Sequence, residues 1–143
     1  MHALCNLVRQ YGPLAGRILI TAIFLISGYH KITGFAGVSG MMAKAGMPMP
    51  DVLLAGAIAF EIGGALMVLL GWHAWLGALL LIAFTVPPTL MLHNFWAVDA
   101  AQYQNQFNHF MKNVAIVGAL LYIMAVGPGP LSLGKDDAST RAP

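Results

Sequence analysis

Four long apolar stretches, separated by shorter polar segments, dominate the pattern of this chain. They lie at about residues 16–32, 52–70, 74–92 and 110–126. A helix needs roughly 17–25 mostly apolar residues to cross the hydrocarbon core of a bilayer, and each stretch falls within that range. Short connections favour antiparallel neighbours. The pattern therefore predicts an all-α membrane protein, a four-transmembrane-helix antiparallel bundle.

The first of the two longer connections, residues 34–50, carries apolar residues at helical spacing. They are Phe35, Val38, Met41, Met42 and Ala45. Such a stripe predicts a short amphipathic helix on the membrane surface or over the bundle. The second connection, residues 93–109, is rich in amides, and its aromatic residues are expected to form a belt at headgroup level: Phe95, Trp96, Tyr103 and Phe107.

Local signals predict where the helices begin, bend and pack. Asp51 precedes the second apolar stretch and is a good N-cap. Pro87 and Pro88 should kink or locally unwind the third span. Small residues recur every fourth position and predict close helix approach, at Ala55, Ala59 and Gly63 and at Ala115 and Ala119.

The composition excludes several classes of protein. Hydrophobic residues make up 59% of the 143 positions and charged residues only 8%, against about 25% charged in soluble domains. One membrane domain, residues 1–134, is expected, followed by a polar tail at 135–143 that is predicted to be mobile. The net charge of +2 is scattered along the chain, so nucleic-acid binding is not expected. Cys5 is the single cysteine, which rules out a disulfide within the chain.

The distribution of basic residues gives a weak preference for one orientation. With the N-terminus inside, the cytoplasmic segments contain Arg9, Arg17, Lys135 and Arg141, and the opposite side contains Lys31, Lys44 and Lys112. The positive-inside rule then favours both termini in the cytoplasm. Arg17 is interpreted as an anchor at the cytoplasmic interface.

Glu61 is the strongest candidate for function, because it lies in the middle of the second apolar stretch. A carboxylate at that depth costs roughly 2.5–3.5 kcal/mol on insertion scales, so such residues are candidates for function by default. We consider two roles: a proton-accepting carboxyl with a catalytic part, and a hydrogen bond between helices to Ser27 or Asn113.

Alternating spans place further polar residues at one end of the bundle. This group comprises His30, Lys31, His93, Asn94, Asn108, His109, Lys112 and Asn113. Within it, five residues are predicted to bind a substrate: Lys31, Lys112, Asn113, His93 and Asn94. The alternative for the lysines is snorkelling toward lipid phosphate.

No metal site is predicted, although two sets of metal ligands were considered. His30, His93 and His109 come from different spans, but interfacial histidines are common and no H-x-x-x-H spacing supports a site. The methionines at 41, 42, 47 and 49 are soft copper(I) ligands, but methionines in such a loop more often serve as packing. The chain has no flavin, haem or nucleotide motif, and it is not expected to be an enzyme by itself.

Several motifs in the right order make the chain resemble the DoxX family of small bacterial inner-membrane proteins, over about residues 16–133. They are Arg17, Ser27-Gly28 with Lys31, Glu61-x-Gly63-Gly64, Phe110 with Lys112-Asn113, and Gly127-x-Gly129 with Ser132. One departure is Gly134, where an acidic residue is expected. The resemblance implies a multi-pass protein of the bacterial inner (plasma) membrane, linked to quinone-coupled redox systems. It therefore makes a quinone the expected ligand of Glu61 and of the residues predicted to bind a substrate, Lys31, Lys112, Asn113, His93 and Asn94. Some relatives are membrane subunits of thiosulfate:quinone oxidoreductases, and others are associated with oxidative-stress defence.

Three functional hypotheses follow from these observations. The first is a membrane subunit that anchors a soluble redox subunit and offers a quinone and proton pocket around Glu61. The second is a non-catalytic scaffold or assembly factor, for which the amide-rich segment 102–108 would be a docking surface. The third is a small proton-coupled transporter, which would need a homo-oligomer because the chain contains no inverted repeat.

Overall fold

A computed structural model describes residues 2–134, and its secondary structure is helical throughout apart from turns. The elements in chain order are α1 (His2–Thr33), α2 (Phe35–Lys44), α3 (Pro50–Leu70), α4 (Ala74–Leu92), a 3₁₀ turn (Phe95–Ala97) and α5 (Ala100–Val126). The predicted mobile tail, residues 135–143, lies outside the described residues.

The predicted four-helix bundle is confirmed. Helices α1, α3, α4 and α5 are long and apolar enough to cross a membrane. In space, α1 packs on α3, α3 on α4, and α4 on α5. The core between them consists of Phe24, Ala65, Val68, Ala78, Leu81 and Leu120. Most other large apolar side chains are on the outside, which is the arrangement expected where the solvent is lipid.

Close packing of α3 on α4 depends on a glycine from each helix. A Cβ atom added to Gly64 would lie 3.0 Å from the carbonyl oxygen of Gly77, and one added to Gly77 would lie 2.8 Å from the carbonyl oxygen of Gly64. The predicted stripe was wrong by one position on α3: Ala55 and Ala59 are exposed, and nothing lies within 4 Å of a Cβ at Gly63. On α5, Ala115 and Ala119 are also exposed. Small residues do bring two spans together, but only the tertiary structure identifies the contacting face.

The predicted amphipathic helix in the first long connection is confirmed as α2, and it packs on α3. Its buried Ser39 hydroxyl donates a hydrogen bond to the carboxylate of Asp51. Asp51 is therefore not the N-cap of α3. Met49, in a left-handed backbone conformation, takes the N-cap position and Pro50 begins the helix. The carboxylate of Asp51 instead fastens α2 to the start of α3.

Two spans are longer than the apolar pattern predicted. Helix α1 begins at His2 and α5 at Ala100, so the amide-rich segment 102–108 is helical. Asp99 caps α5 by accepting a hydrogen bond from the backbone N–H of Gln102 at 3.0 Å. Helix α4 is continuous through Pro87 and Pro88, without the local unwinding that was considered. The aromatic residues of the second connection pack around Phe95, whose ring contacts Trp96, Tyr103, Phe107 and Phe110.

Candidate functional site

An ion pair joins α1 to α3 within the membrane-spanning part of the bundle. The Nζ atom of Lys31 lies 2.9 Å from Oε2 of Glu61. Glu61 is 1% exposed, whereas the side chain of Lys31 is 25% exposed. The buried carboxylate is thus connected to the surface of the bundle through the lysine.

The sequence of α1 around Lys31 makes this contact sterically feasible. Ser27 lies one helical turn earlier, and its hydroxyl oxygen accepts a hydrogen bond from Lys31 at 2.5 Å. Gly28 faces α3: a Cβ atom there would lie 2.6 Å from Cγ1 of Ile62 and 3.8 Å from Oε2 of Glu61. The absence of a side chain at Gly28 therefore lets α3 approach closely enough for Glu61 to meet Lys31.

The environment of Lys31 differs from the snorkelling alternative. Its ammonium group points to Ser27 and Glu61 and lies 5.4 Å from the centre of the Phe84 ring on α4. An ammonium group has three N–H donors. Two are used by Ser27 and Glu61, and within residues 2–134 no further acceptor is bonded to it. The partly exposed lysine therefore retains one donor for another group.

A second polar contact joins α4 to α5. Asn113 donates a hydrogen bond from Nδ2 to the hydroxyl oxygen of Thr89 at 2.8 Å. Thr89 in turn donates to the backbone carbonyl of Thr85 at 2.7 Å. Asn113 was considered as a partner of Glu61, but the structure gives it Thr89. The neighbouring Lys112 is exposed and forms no hydrogen bond or ion pair with the described part of the chain.

The predicted site residues His93 and Asn94 lie where α4 ends. The rings of His93 and His109 stack with their centres 5.0 Å apart, and Nδ1 of His93 lies 2.8 Å from Oε1 of Gln106. Asn94 precedes the 3₁₀ turn and its carbonyl accepts from the backbone of Ala97 at 2.9 Å. Across residues 2–134, no three histidine, cysteine, aspartate or glutamate side chains form a group that could hold a metal ion.

The opposite end of the bundle is closed by Arg17, whose role the sequence did not reveal. Arg17 is 1% exposed. Its guanidinium group donates to the backbone carbonyl of Leu69 at 2.9 Å, of Pro130 at 3.3 Å and of Leu131 at 2.8 Å. The interpretation of Arg17 as an interfacial anchor was therefore wrong, because its donors face the protein interior. A basic residue at the end of a span has the same sequence signal in either role.

The segment after α5 folds back across this end. Backbone N–H groups of Leu133 and Gly134 donate to the carbonyls of Leu70 and Gly71 at 2.8 and 3.0 Å. Gly71 ends α3 in a left-handed conformation, with φ of 65°. A Cβ at Gly134 would lie 2.7 Å from the carbonyl oxygen of Gly71. The close approach explains why glycine, rather than an acidic residue, fits at position 134.

A bundle of four apolar spans with an ion pair between two of them defines a small multi-pass membrane protein. The DoxX family model matches residues 12–94, more than half of the chain. The chain is also 34% identical to the inner membrane protein YphA of Escherichia coli, over 85% of this chain and 87% of that protein. The protein belongs to the DoxX family.

Two further relatives extend this comparison. The chain is 33% identical to the inner membrane protein YqjF of E. coli, over 90% of this chain and 93% of that protein. It is 28% identical to a Surfeit locus protein 4 homolog of Schizosaccharomyces pombe, over 89% of this chain but only 38% of the longer yeast protein. No solved structure matches the chain.

Proposed function

We propose that this protein is an inner-membrane subunit of a quinone-linked redox system, and that the Lys31–Glu61 pair is its site for quinone and proton. Two of its relatives are named inner membrane proteins, which supports the location. The observation that carries the proposal is the pair itself: a buried carboxylate held at 2.9 Å by a lysine that is one-quarter exposed. Ionisable groups kept at this depth in a membrane protein commonly serve ion or substrate pathways.

The residues around the pair suit a quinone carbonyl. Lys31 has a third N–H to donate, and its exposure opens it to a ligand from the bilayer. The Phe84 ring next to the ammonium group offers an apolar face on which a flat ring can stack. A few convergent polar groups within an otherwise apolar surface are typical of small-molecule sites.

The chemistry assigned to the pair is positioning and proton transfer. A bound quinone supplies reversible two-electron, two-proton chemistry, with the electrons exchanged with a soluble subunit. Lys31 would orient the carbonyl oxygen and donate one proton to it, and would regain that proton from water at its exposed side, while the carboxylate of Glu61 would hold the ammonium group in place. Neutralising one partner of the pair should therefore impair both binding and proton transfer.

The first turns of α5 suit the docking of a soluble subunit. Gln102, Gln104, Asn105 and Asn108 are all exposed there. The surface is polar without net charge, and the amide groups can both donate and accept hydrogen bonds. Of the other predicted site residues, Lys112 and Asn113 are on α5, and His93 and Asn94 directly follow α4. We assign these four residues to the surroundings of this docking face.

The decisive experiment measures quinone bound to lipid-depleted full-length protein. We expect the unmodified protein to retain quinone, and Lys31→Met and Glu61→Gln to lose it. Lys44→Met, a change at an exposed lysine of α2, serves as the matched control and should retain it. Equal retention by all four proteins, or no retention by any, would contradict the quinone site.

The scaffold alternative is supported by the same exposed amides of α5, since docking alone needs no buried ion pair. Gentle extraction and identification of the proteins that co-purify distinguishes the two functions. A redox partner whose quinone-dependent activity is lost in Glu61→Gln supports the subunit with a quinone site. A partner complex that assembles and works equally well with Glu61→Gln supports the scaffold.

A further inference from the structure

A groove of about 660 Å³ lies between α1 and α5, on the side of the bundle that holds Arg17. One wall is formed by residues spaced four apart on α1, namely Val8, Gly12, Gly16 and Ile20. The facing wall on α5 includes Ala119 and Ile123, and the floor is the segment that follows α5. The groove is separate from the Lys31–Glu61 pair, and the proposed function does not use it.

Two glycines in the wall of α1, Gly12 and Gly16, leave the groove open. A Cβ atom at Gly16 would meet nothing within 4 Å, and one at Gly12 would meet only Cγ1 of Val8 at 3.5 Å. The space next to these glycines is thus not filled by another part of residues 2–134. Its lining is almost entirely apolar, and an apolar cavity is not stably filled by water.

Charged groups near the groove favour an occupant with one apolar and one anionic part. The guanidinium group of Arg17 contributes to the lining, but its donors reach the backbone carbonyls of Leu69, Pro130 and Leu131. Arg9, by contrast, is exposed and directly follows Val8. An exposed cation that follows a residue of the groove wall in sequence is available to bind a lipid phosphate.

Toward its N-terminus, α1 carries an exposed apolar stripe that shares Val8 with the groove wall. Leu4, Leu7, Val8 and Tyr11 have the i, i+3, i+4, i+7 spacing of an amphipathic helix, and all four are exposed. A stripe of this kind, on a helix whose other side carries a basic residue, is typical of helices that lie in a membrane interface. Hydrocarbon chains of lipid are therefore the neighbours that this end of α1 is built to meet.

The size of the groove favours a lipid chain over a partner helix as its occupant. One turn of an α-helix, 5.4 Å long and about 10–12 Å wide with its side chains, occupies roughly 420–610 Å³. The groove would accommodate little more than a single turn. A transmembrane helix from a second copy would remain mostly outside it, whereas a thin hydrocarbon chain can lie along its whole length.

We propose that this groove binds one phospholipid of the adjacent leaflet, with an acyl chain between α1 and α5 and the phosphate at Arg9. Native mass spectrometry of the delipidated full-length protein, titrated with phosphatidylglycerol, tests this. The first lipid should bind more tightly than later ones. Gly16→Leu fills the groove and should weaken that first step at least about tenfold, because several buried methylenes are lost. Arg9→Gln should weaken it about fivefold.

Gly118→Leu is the matched control. Gly118 is also exposed, on α5, and a Cβ there meets nothing within 4 Å, but it does not line the groove. It should leave the first binding step unchanged. Should Gly16→Leu not fold, Ala119→Leu fills the groove from the opposite wall and must give the same loss.

Either of two results would overturn the proposal. One is equal lipid binding by the groove-filling variant, the control and the unmodified protein, which would show only non-selective lipid around the bundle. The other is a dimer in the unmodified protein that Gly16→Leu abolishes without a change in lipid binding, which would make a second copy the occupant.

Discussion

Helix α1 carries two cations in different surroundings, Arg17 near its middle and Lys31 in its last turn. Lys31 and Arg17 are 14 residues apart in the sequence, or about 21 Å along a helix. Lys31 pairs with the carboxylate of Glu61 and stays one-quarter exposed. Arg17 is almost fully buried and donates to the backbone carbonyls of Leu69, Pro130 and Leu131.

The difference follows from what each cation meets. At the end of the bundle where Arg17 lies, α3 stops at Leu70 and leaves its last carbonyls without helical partners. The segment after α5 places further backbone carbonyls next to the same guanidinium group. The planar guanidinium group has five donors and can bind carbonyls from both segments at once. The cation there completes the fold. At the other end of the bundle, the ammonium group of Lys31 keeps one N–H that can bind a ligand.

The largest loss of stability is expected when Arg17, which closes one end of the bundle, is replaced. Arg17→Met removes the hydrogen bonds to Leu69, Pro130 and Leu131. We expect a loss of about 2–4 kcal/mol in the free energy of unfolding, since three partly buried carbonyls lose the hydrogen bonds of a charged donor. Denaturant unfolding in detergent, followed by circular dichroism, measures it. The control Arg9→Met, at an exposed site on the same helix, should change stability by less than about 0.5 kcal/mol; equal effects would contradict the role given to Arg17.

A single methyl group should also disturb the closed end. Gly71→Ala places a Cβ 2.3 Å from Cβ of Ser132 and 2.5 Å from a guanidinium nitrogen of Arg17, at a positive φ. We expect a destabilisation of about 1–3 kcal/mol in the same unfolding assay. Gly63→Ala on α3 meets nothing within 4 Å, so it should be neutral or slightly stabilising. Equal free energies of unfolding for Gly71→Ala and Gly63→Ala would contradict the close packing assigned to Gly71.

Substitutions at the end of the bundle that holds Lys31 and Glu61 should reduce stability less, because Lys31 can turn toward the surface when its partner is removed. A double-mutant cycle of Lys31→Met and Glu61→Gln measures the coupling, which we expect at about 0.5–2 kcal/mol. Lys112→Met, at an exposed lysine without a charged partner in residues 2–134, should show no coupling to Glu61→Gln. A coupling near zero for Lys31 as well would mean that the observed pair contributes nothing to stability.

The smallest effect is expected for the hydrogen bond between α4 and α5. Asn113→Val removes the donor to Thr89 and should cost about 0.6 kcal/mol, the average for hydrogen bonds between membrane helices. Asn105→Val, at an exposed position of the same helix, is the control and should cost less. A loss above about 2 kcal/mol would show that Asn113 takes part in a larger polar network than the structure describes.

The candidate site was predictable from the sequence only in part. Glu61 and Lys31 could be singled out because ionisable residues within or at the ends of apolar stretches are rare. That they would meet each other was not predicted, since the pairing depends on the rotation of α1 and α3 about their axes. Asn113 illustrates the same point: its position in the sequence suited Glu61, but its side chain faces Thr89.

The sequence by itself determined the number of spans, the amphipathic α2 and the membrane environment, because hydrophobic length and periodicity act locally along the chain. Which small residues touch, that Asp51 binds Ser39, and that Arg17 is buried were decided by the tertiary structure. Each of these depends on groups far apart in the sequence that only packing brings together. A basic residue at the end of a span carries no local signal of whether lipid, a carboxylate or a helix terminus will be its neighbour.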